Sequence, residues 1–287
     1  MVPPYYVVFI VWIVVSAIAI PPMAYICWKT FVRAGPDAAA ARRWILWFKI
    51  ALPLFLISAI WSTIQQSINL GAVGGFFQLG IAWTFCDLVG TTASLAMSLS
   101  LVEAAYWLAS VRNNGLPVRN SGWSRILAYV VTAILFCLTI VLLGLYMNRY
   151  FSSTYYDEFK FYNTITIIGL TWQSTMAAIS IALVGISIAL LVKTRRDAVH
   201  LSSAAKLYLI ATVLFMFPFV WNFISIGIRF AIISNDHYST FTSINWLGVV
   251  SSIISWGCHV ACFYMQLRLR KLKIGVEDAT KQRSTSV

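Results

Sequence analysis

The residue with the clearest capacity for chemistry is Asp87. It stands in an apolar run over 77–110, with no Lys or Arg at its level. Ionisable groups inside a membrane span are costly, and they are functional candidates by default. Two chemistries suit such a carboxyl. As a neutral acid it can give up a proton in a water-poor cavity. As a carboxylate it can serve as counter-ion to a cationic ligand. The plain alternative is a protonated Asp bonded to a neighbouring helix. On a helical wheel Trp83, Asp87, Thr91, Ser94 and Ser98 share one face. Glu103 falls about 160° around the same helix, so the two acids cannot form a dyad. Glu103 sits near a basic boundary and is expected to pair with Arg112 or Arg125. With Asp236, in the loop after the sixth span, it completes the set of candidate acids.

Other polar groups fall inside apolar stretches: Gln65, Gln66, Gln173, Asn222, Asn245 and His259, with Arg229 near the end of the sixth span. Trp83, Trp172 and Trp221 lie deep enough to wall a pocket. Together they predict a polar-lined, aromatic-walled cavity in the outer half of a helix bundle. The candidate binding residues are Trp83, Thr91, Trp172, Gln173, Trp221 and Asn222. Cys258, His259 and Cys262 have the spacing of a metal site but no complementary cluster elsewhere. Small buried cysteines are the simpler reading, and no metal or organic cofactor is expected.

The elements that must position these groups follow from composition. The 287 residues are 60% hydrophobic and 10% charged, against about 25% charged for a soluble domain. There is too little polar surface for a soluble fold, and too much apolar character for disorder. Seven stretches reach the roughly 20 apolar residues a spanning helix needs: 6–28, 44–68, 77–110, 125–147, 162–192, 204–233 and 242–267. The fold class is therefore all-α, a polytopic membrane protein of seven transmembrane helices. Residues 1–269 form the membrane domain and 270–287 a polar, disordered tail. The first span lacks a basic leader and is read as a retained helix, bent or ended by Pro21 and Pro22. Trp44 and Tyr146 are among the residues assigned to an aromatic belt.

Of the 21 Lys and Arg, all but Arg149, Lys160 and Arg229 fall on one side. The positive-inside rule then places the N-terminus outside or in the lumen and the C-terminus in the cytosol. This asymmetry accounts for most of the net charge of +12. Short basic loops at membrane ends favour anionic lipid over nucleic acid as the partner. Gly90, Ser94 and Ser98 form a row of small residues that allows close helix approach. The third helix is therefore expected at the centre of the bundle, and Ser94→Leu is expected to destabilise it.

Three function classes fit. A seven-helix receptor suits the topology. However, the third helix reads Glu103-Ala104-Ala105-Tyr106 where many receptors carry Asp-Arg-Tyr, and the seventh has no Asn-Pro before Tyr264. A membrane enzyme suits a buried acid among aromatic walls. In size, topology, Asp87 and Trp83 the chain resembles the small membrane-bound terpene cyclases of fungal meroterpenoid pathways. That resemblance implies protonation and cyclisation of an apolar prenylated substrate, within terpenoid biosynthesis and secondary metabolism. Those enzymes tend to use one acid in each half, and here Asp236 is the nearest candidate in the second. A transporter or scaffold is the third class; neither repeated halves nor broken helices are visible. The enzyme is placed ahead of the receptor. Expected partners are the bilayer and an apolar small molecule, in the endoplasmic reticulum or another endomembrane.

Overall fold

The computed structural model describes residues 4–32, 42–71, 76–113, 121–151, 158–235 and 240–272. They form seven long helices: α1 (Pro4–Val32), α2 (Arg42–Gly71), α3 (Phe76–Arg112), α4 (Ser121–Phe151), α5 (Glu158–Asp197), α6 (Ser202–Asn235) and α7 (Thr240–Lys271). A 3-10 turn, Val199–Leu201, joins α5 to α6. Each of the seven is long and apolar enough to cross a membrane. Every expected span is present, and the helices extend past the apolar runs. A helix satisfies its own backbone, so it can continue until a breaker or a polar segment stops it. α7 runs to Lys271, just past the boundary drawn at 269. The segment 273–287 and Asp236 lie outside the described residues. For Trp83, Arg229 and Asn245 the helix is described but the side chain is not.

Pro21 and Pro22 do not end α1, which continues to Val32. Pro53 and Pro218 likewise sit inside α2 and α6. Proline removes one helix N–H, and in a membrane bundle neighbouring helices tolerate that loss.

Helix α3 packs against α2, α4, α5 and α6, which bears out its central place. The closest approach is to α2: a Cβ on Gly90 would lie 3.1 Å from Ser58 Oγ. Helix α4 is the most peripheral, touching α3 and, more lightly, α5. Outward faces carry large exposed aliphatics such as Ile18, Leu127, Ile140 and Val192. Exposed apolar surface of this kind suits lipid, not water.

One end of the bundle gathers the end of α1, the start of α2, the end of α3, the starts of α4 and α6, and the ends of α5 and α7. Its basic residues include Lys29, Arg112, Arg125, Lys206 and Arg268. Polar side chains tie this basic end together. Ser100 donates to the Trp44 carbonyl at 3.1 Å and bonds Gln266 Oε1 at 3.0 Å. The Tyr208 hydroxyl donates to the Leu101 carbonyl at 3.0 Å, and Arg270 donates to the Thr30 carbonyl at 2.7 Å. Trp44 is not a belt residue. It is buried, with its ring 5.8 Å from that of Trp107 and 6.3 Å from that of Phe48. The belt assignment failed because a boundary position alone does not say which way a ring points.

Candidate functional site

Helical spacing of three and four lays polar stripes along otherwise apolar helices. Ser58, Ser62, Gln65 and Gln66 do so on α2. Asp87, Gly90, Thr91 and Ser94 do so on α3, and Ser252, Ser255 and His259 on α7. The fold turns these three stripes toward one another. With Trp12 and Ser16 of α1, Trp172 and Gln173 of α5, and Asn222 of α6, they line a central cavity of about 330 Å³. A second cavity, of about 530 Å³, lies between α3, α4 and α5. Its walls are largely aliphatic: Leu88, Leu142, Leu143, Ile165 and Leu170. Tyr146 also faces it, rather than serving only as a boundary residue.

Asp87, Thr91, Trp172 and Gln173 line both cavities. Asp87 thus stands where the polar space meets the apolar one. Asp87 is exposed, and both cavities border it. The Thr91 hydroxyl donates to the Asp87 backbone carbonyl at 2.6 Å. Among the described residues no ion pair or side-chain hydrogen bond reaches the Asp87 carboxyl, and neither cavity is lined by a Lys or Arg.

His259 is 3% exposed and sits against aromatic rings. The Phe55 ring lies 4.4 Å away at 37°, and Phe215 and Phe219 present edges at 6.4 Å. Its Nδ1 lies 2.6 Å from the Ser255 carbonyl oxygen. A carbonyl can only accept, so Nδ1 carries a proton, and in the neutral ring, the form favoured among aromatic neighbours, Nε2 is the acceptor. That Nε2 is buried and has no partner. Three other cavity residues carry a buried, unpartnered polar atom: Gln66 Oε1, Gln173 Oε1 and Trp172 Nε1. Three further such atoms, Trp44 Nε1, Arg112 Nη1 and Arg125 Nε, lie at the basic end. Buried polar groups are otherwise almost always hydrogen-bonded, so four on residues of one cavity make it the candidate place to meet polar atoms.

Of the sequence-derived candidates, Asp87, Thr91, Trp172, Gln173 and Asn222 come together here. Trp221 does not line either cavity; its Nε1 donates to Ser251 at 3.0 Å and ties α6 to α7. Glu103 is also elsewhere. It is 2% exposed and lies 3.4 Å from Arg125, as its boundary position suggested. The Tyr129 hydroxyl donates to it at 3.3 Å, and Trp47 Nε1 donates to that hydroxyl at 3.0 Å. This is a link between α2, α3 and α4 at the basic end. The candidate acid Asp236 lies outside the described residues, and the Trp83 side chain is not described. Sequence reasoning missed Phe55, Ser58, Ser62, Ser252 and Ser255 as cavity residues, although the regular stripe of hydroxyls on α2 and α7 is a readable signal. No family model, curated protein or solved structure matches the chain.

Proposed function

We propose that the chain is a multi-pass membrane protein that binds a small amphipathic molecule between its helices, the receptor-like reading of those weighed above. The polar head occupies the central cavity around Asp87. The apolar part lies in the cleft between α3, α4 and α5. The observation that carries this reading is the meeting, on one cavity, of a carboxyl and four buried polar atoms that have no partner among the described residues. Pockets that bind small molecules are typically apolar spaces of about 300–1,000 Å³ with a few placed polar groups. The N-terminus is proposed to lie outside or in the lumen, with the basic end in the cytosol of an endomembrane.

Binding ranks above cyclisation because of the lining. A carbocation formed in the central cavity would meet the hydroxyl oxygens of Ser58, Ser62, Ser252 and Ser255. Those nucleophiles would trap it before a ring closed. The catalytic reading, protonation of a prenylated substrate by Asp87, is favoured by one fact: Asp87 also faces the largely aliphatic second cavity.

Native mass spectrometry of the purified full chain tests the binding reading, against a Ser94→Phe variant that fills the central cavity. A small-molecule adduct present on the parent chain and missing from the variant is expected. Equal adducts on both, or none on the parent, would overturn it. Incubation with an epoxidised prenyl-phenol tests the second reading. Turnover that Asp87→Asn abolishes in a folded protein would establish it, and undiminished cyclisation by that variant would remove Asp87 as the acid.

A further inference from the structure

Four residues of the central cavity carry a buried polar atom without a partner, and these atoms are unequal in kind. Three are acceptors: Gln66 Oε1, Gln173 Oε1 and His259 Nε2. One is a donor, Trp172 Nε1. The Asp87 carboxyl adds further acceptor sites, with no cation beside them among the described residues. The lining also holds donors, in the amides of Gln173 and Asn222 and the Trp256 indole, so charge rather than donor count selects the head group. A phosphate would set anionic oxygens against the Asp87 carboxyl, with no Lys or Arg among the described lining residues to offset them. An ammonium brings N–H donors, no acceptor and a positive charge. The walls suit it as well. Phe55, Trp172, Phe219 and Trp256 border the same cavity, and aromatic faces attract cations.

We propose that the head group taken by this cavity is a primary or secondary alkylammonium, held by Asp87 as counter-ion and by His259 Nε2 and the Gln66 and Gln173 carbonyls as acceptors. This deepens the binding reading and rests on it. His259 is the informative member. Its Nδ1 bond to Ser255 fixes which nitrogen is open, and its contact with Phe55 holds the ring in place.

Three probes separate charge from donor count: phenethylammonium, phenyltrimethylammonium and 2-phenylethanol. The first has charge and N–H donors, the second charge alone, and the third one hydroxyl. Each is titrated by calorimetry into the full chain in lipid nanodiscs, with empty nanodiscs as the blank. Phenethylammonium is expected to bind roughly tenfold or more tighter than either comparator, the size of one charge-assisted hydrogen bond. His259→Phe, which keeps a ring but loses the acceptor, should cost about tenfold for phenethylammonium alone. His259→Gln, which retains an acceptor oxygen, should recover part of that loss and guards against a folding artefact. Equal binding of all three probes, or preference for the alcohol or the quaternary ion, would overturn the ammonium assignment and leave the binding reading standing. Binding of none would count against both.

Discussion

Asp87 and Glu103 share a helix and a chemical type, yet they are used differently. Glu103 is enclosed and paired with Arg125 and Tyr129; Asp87 faces cavity space with no partner at its carboxyl among the described residues. The spacing of the two acids was readable from the sequence, as was a choice of Arg112 or Arg125 for Glu103. The second link, to Tyr129, was not, because it depends on how α4 is rotated about its own axis. Removing one member of a buried pair leaves the other's charge without compensation. Glu103→Ala is therefore expected to destabilise the protein by roughly 2–3 kcal/mol, reduced from the fully buried case by the partial exposure of Arg125. Glu103→Gln, which retains an acceptor for Tyr129, should cost less. Thermal unfolding of the purified chain in detergent ranks the two. An alanine variant as stable as the parent would show that the link contributes nothing. Neither change should weaken binding of a cavity ligand, since Glu103 lines neither cavity.

Rotation of whole helices was the hardest feature to read. Spans that are apolar on every side give no indication of which face turns inward. The scattered polar residues were the exception: Gln65, Gln66, Gln173, Asn222 and His259 pointed to the cavity they line, while the hydroxyl stripes on α2 and α7 carried the same signal unread. Trp221 shows the limit: next to a cavity residue in sequence, it faces Ser251 instead. The row Gly90, Ser94 and Ser98 was read as one packing surface, but its members differ. Gly90 faces Ser58 so closely that even a Cβ is crowded. Ser94 lines the central cavity. Gly90→Leu should force α2 and α3 apart at a cost of about 1–3 kcal/mol. Ser94→Leu should instead project into open space, with a smaller loss of stability and a larger loss of ligand binding. This replaces the expectation that Ser94→Leu acts mainly on stability. Paired measurements of unfolding midpoint and phenethylammonium binding decide it, and a Gly90→Leu chain as stable as the parent would mean that α2 and α3 can part freely.

On the scale of the whole molecule, length and composition were enough to indicate seven membrane-crossing helices. Hydropathy records the absence of water around a span without any knowledge of its neighbours. The sidedness proposed for the bundle has a direct check. With a protease-cleavable tag at each end, closed microsomes should protect the N-terminal tag and leave the C-terminal one open to cleavage. Protection of the C-terminal tag alone would invert the orientation, and equal fates for both tags would contradict an odd number of crossings.

The Asp87 carboxyl within the bundle has one more consequence. A cation that leaves bulk water and settles beside Asp87 carries charge through part of the membrane's electric field. Moving one full charge across the whole membrane is worth about 2.3 kcal/mol per 100 mV. The proposed ammonium would experience the fraction of that energy set by the electrical depth of Asp87. Occupancy would then follow transmembrane voltage as well as concentration, with hyperpolarisation and depolarisation pulling the bound cation in opposite directions.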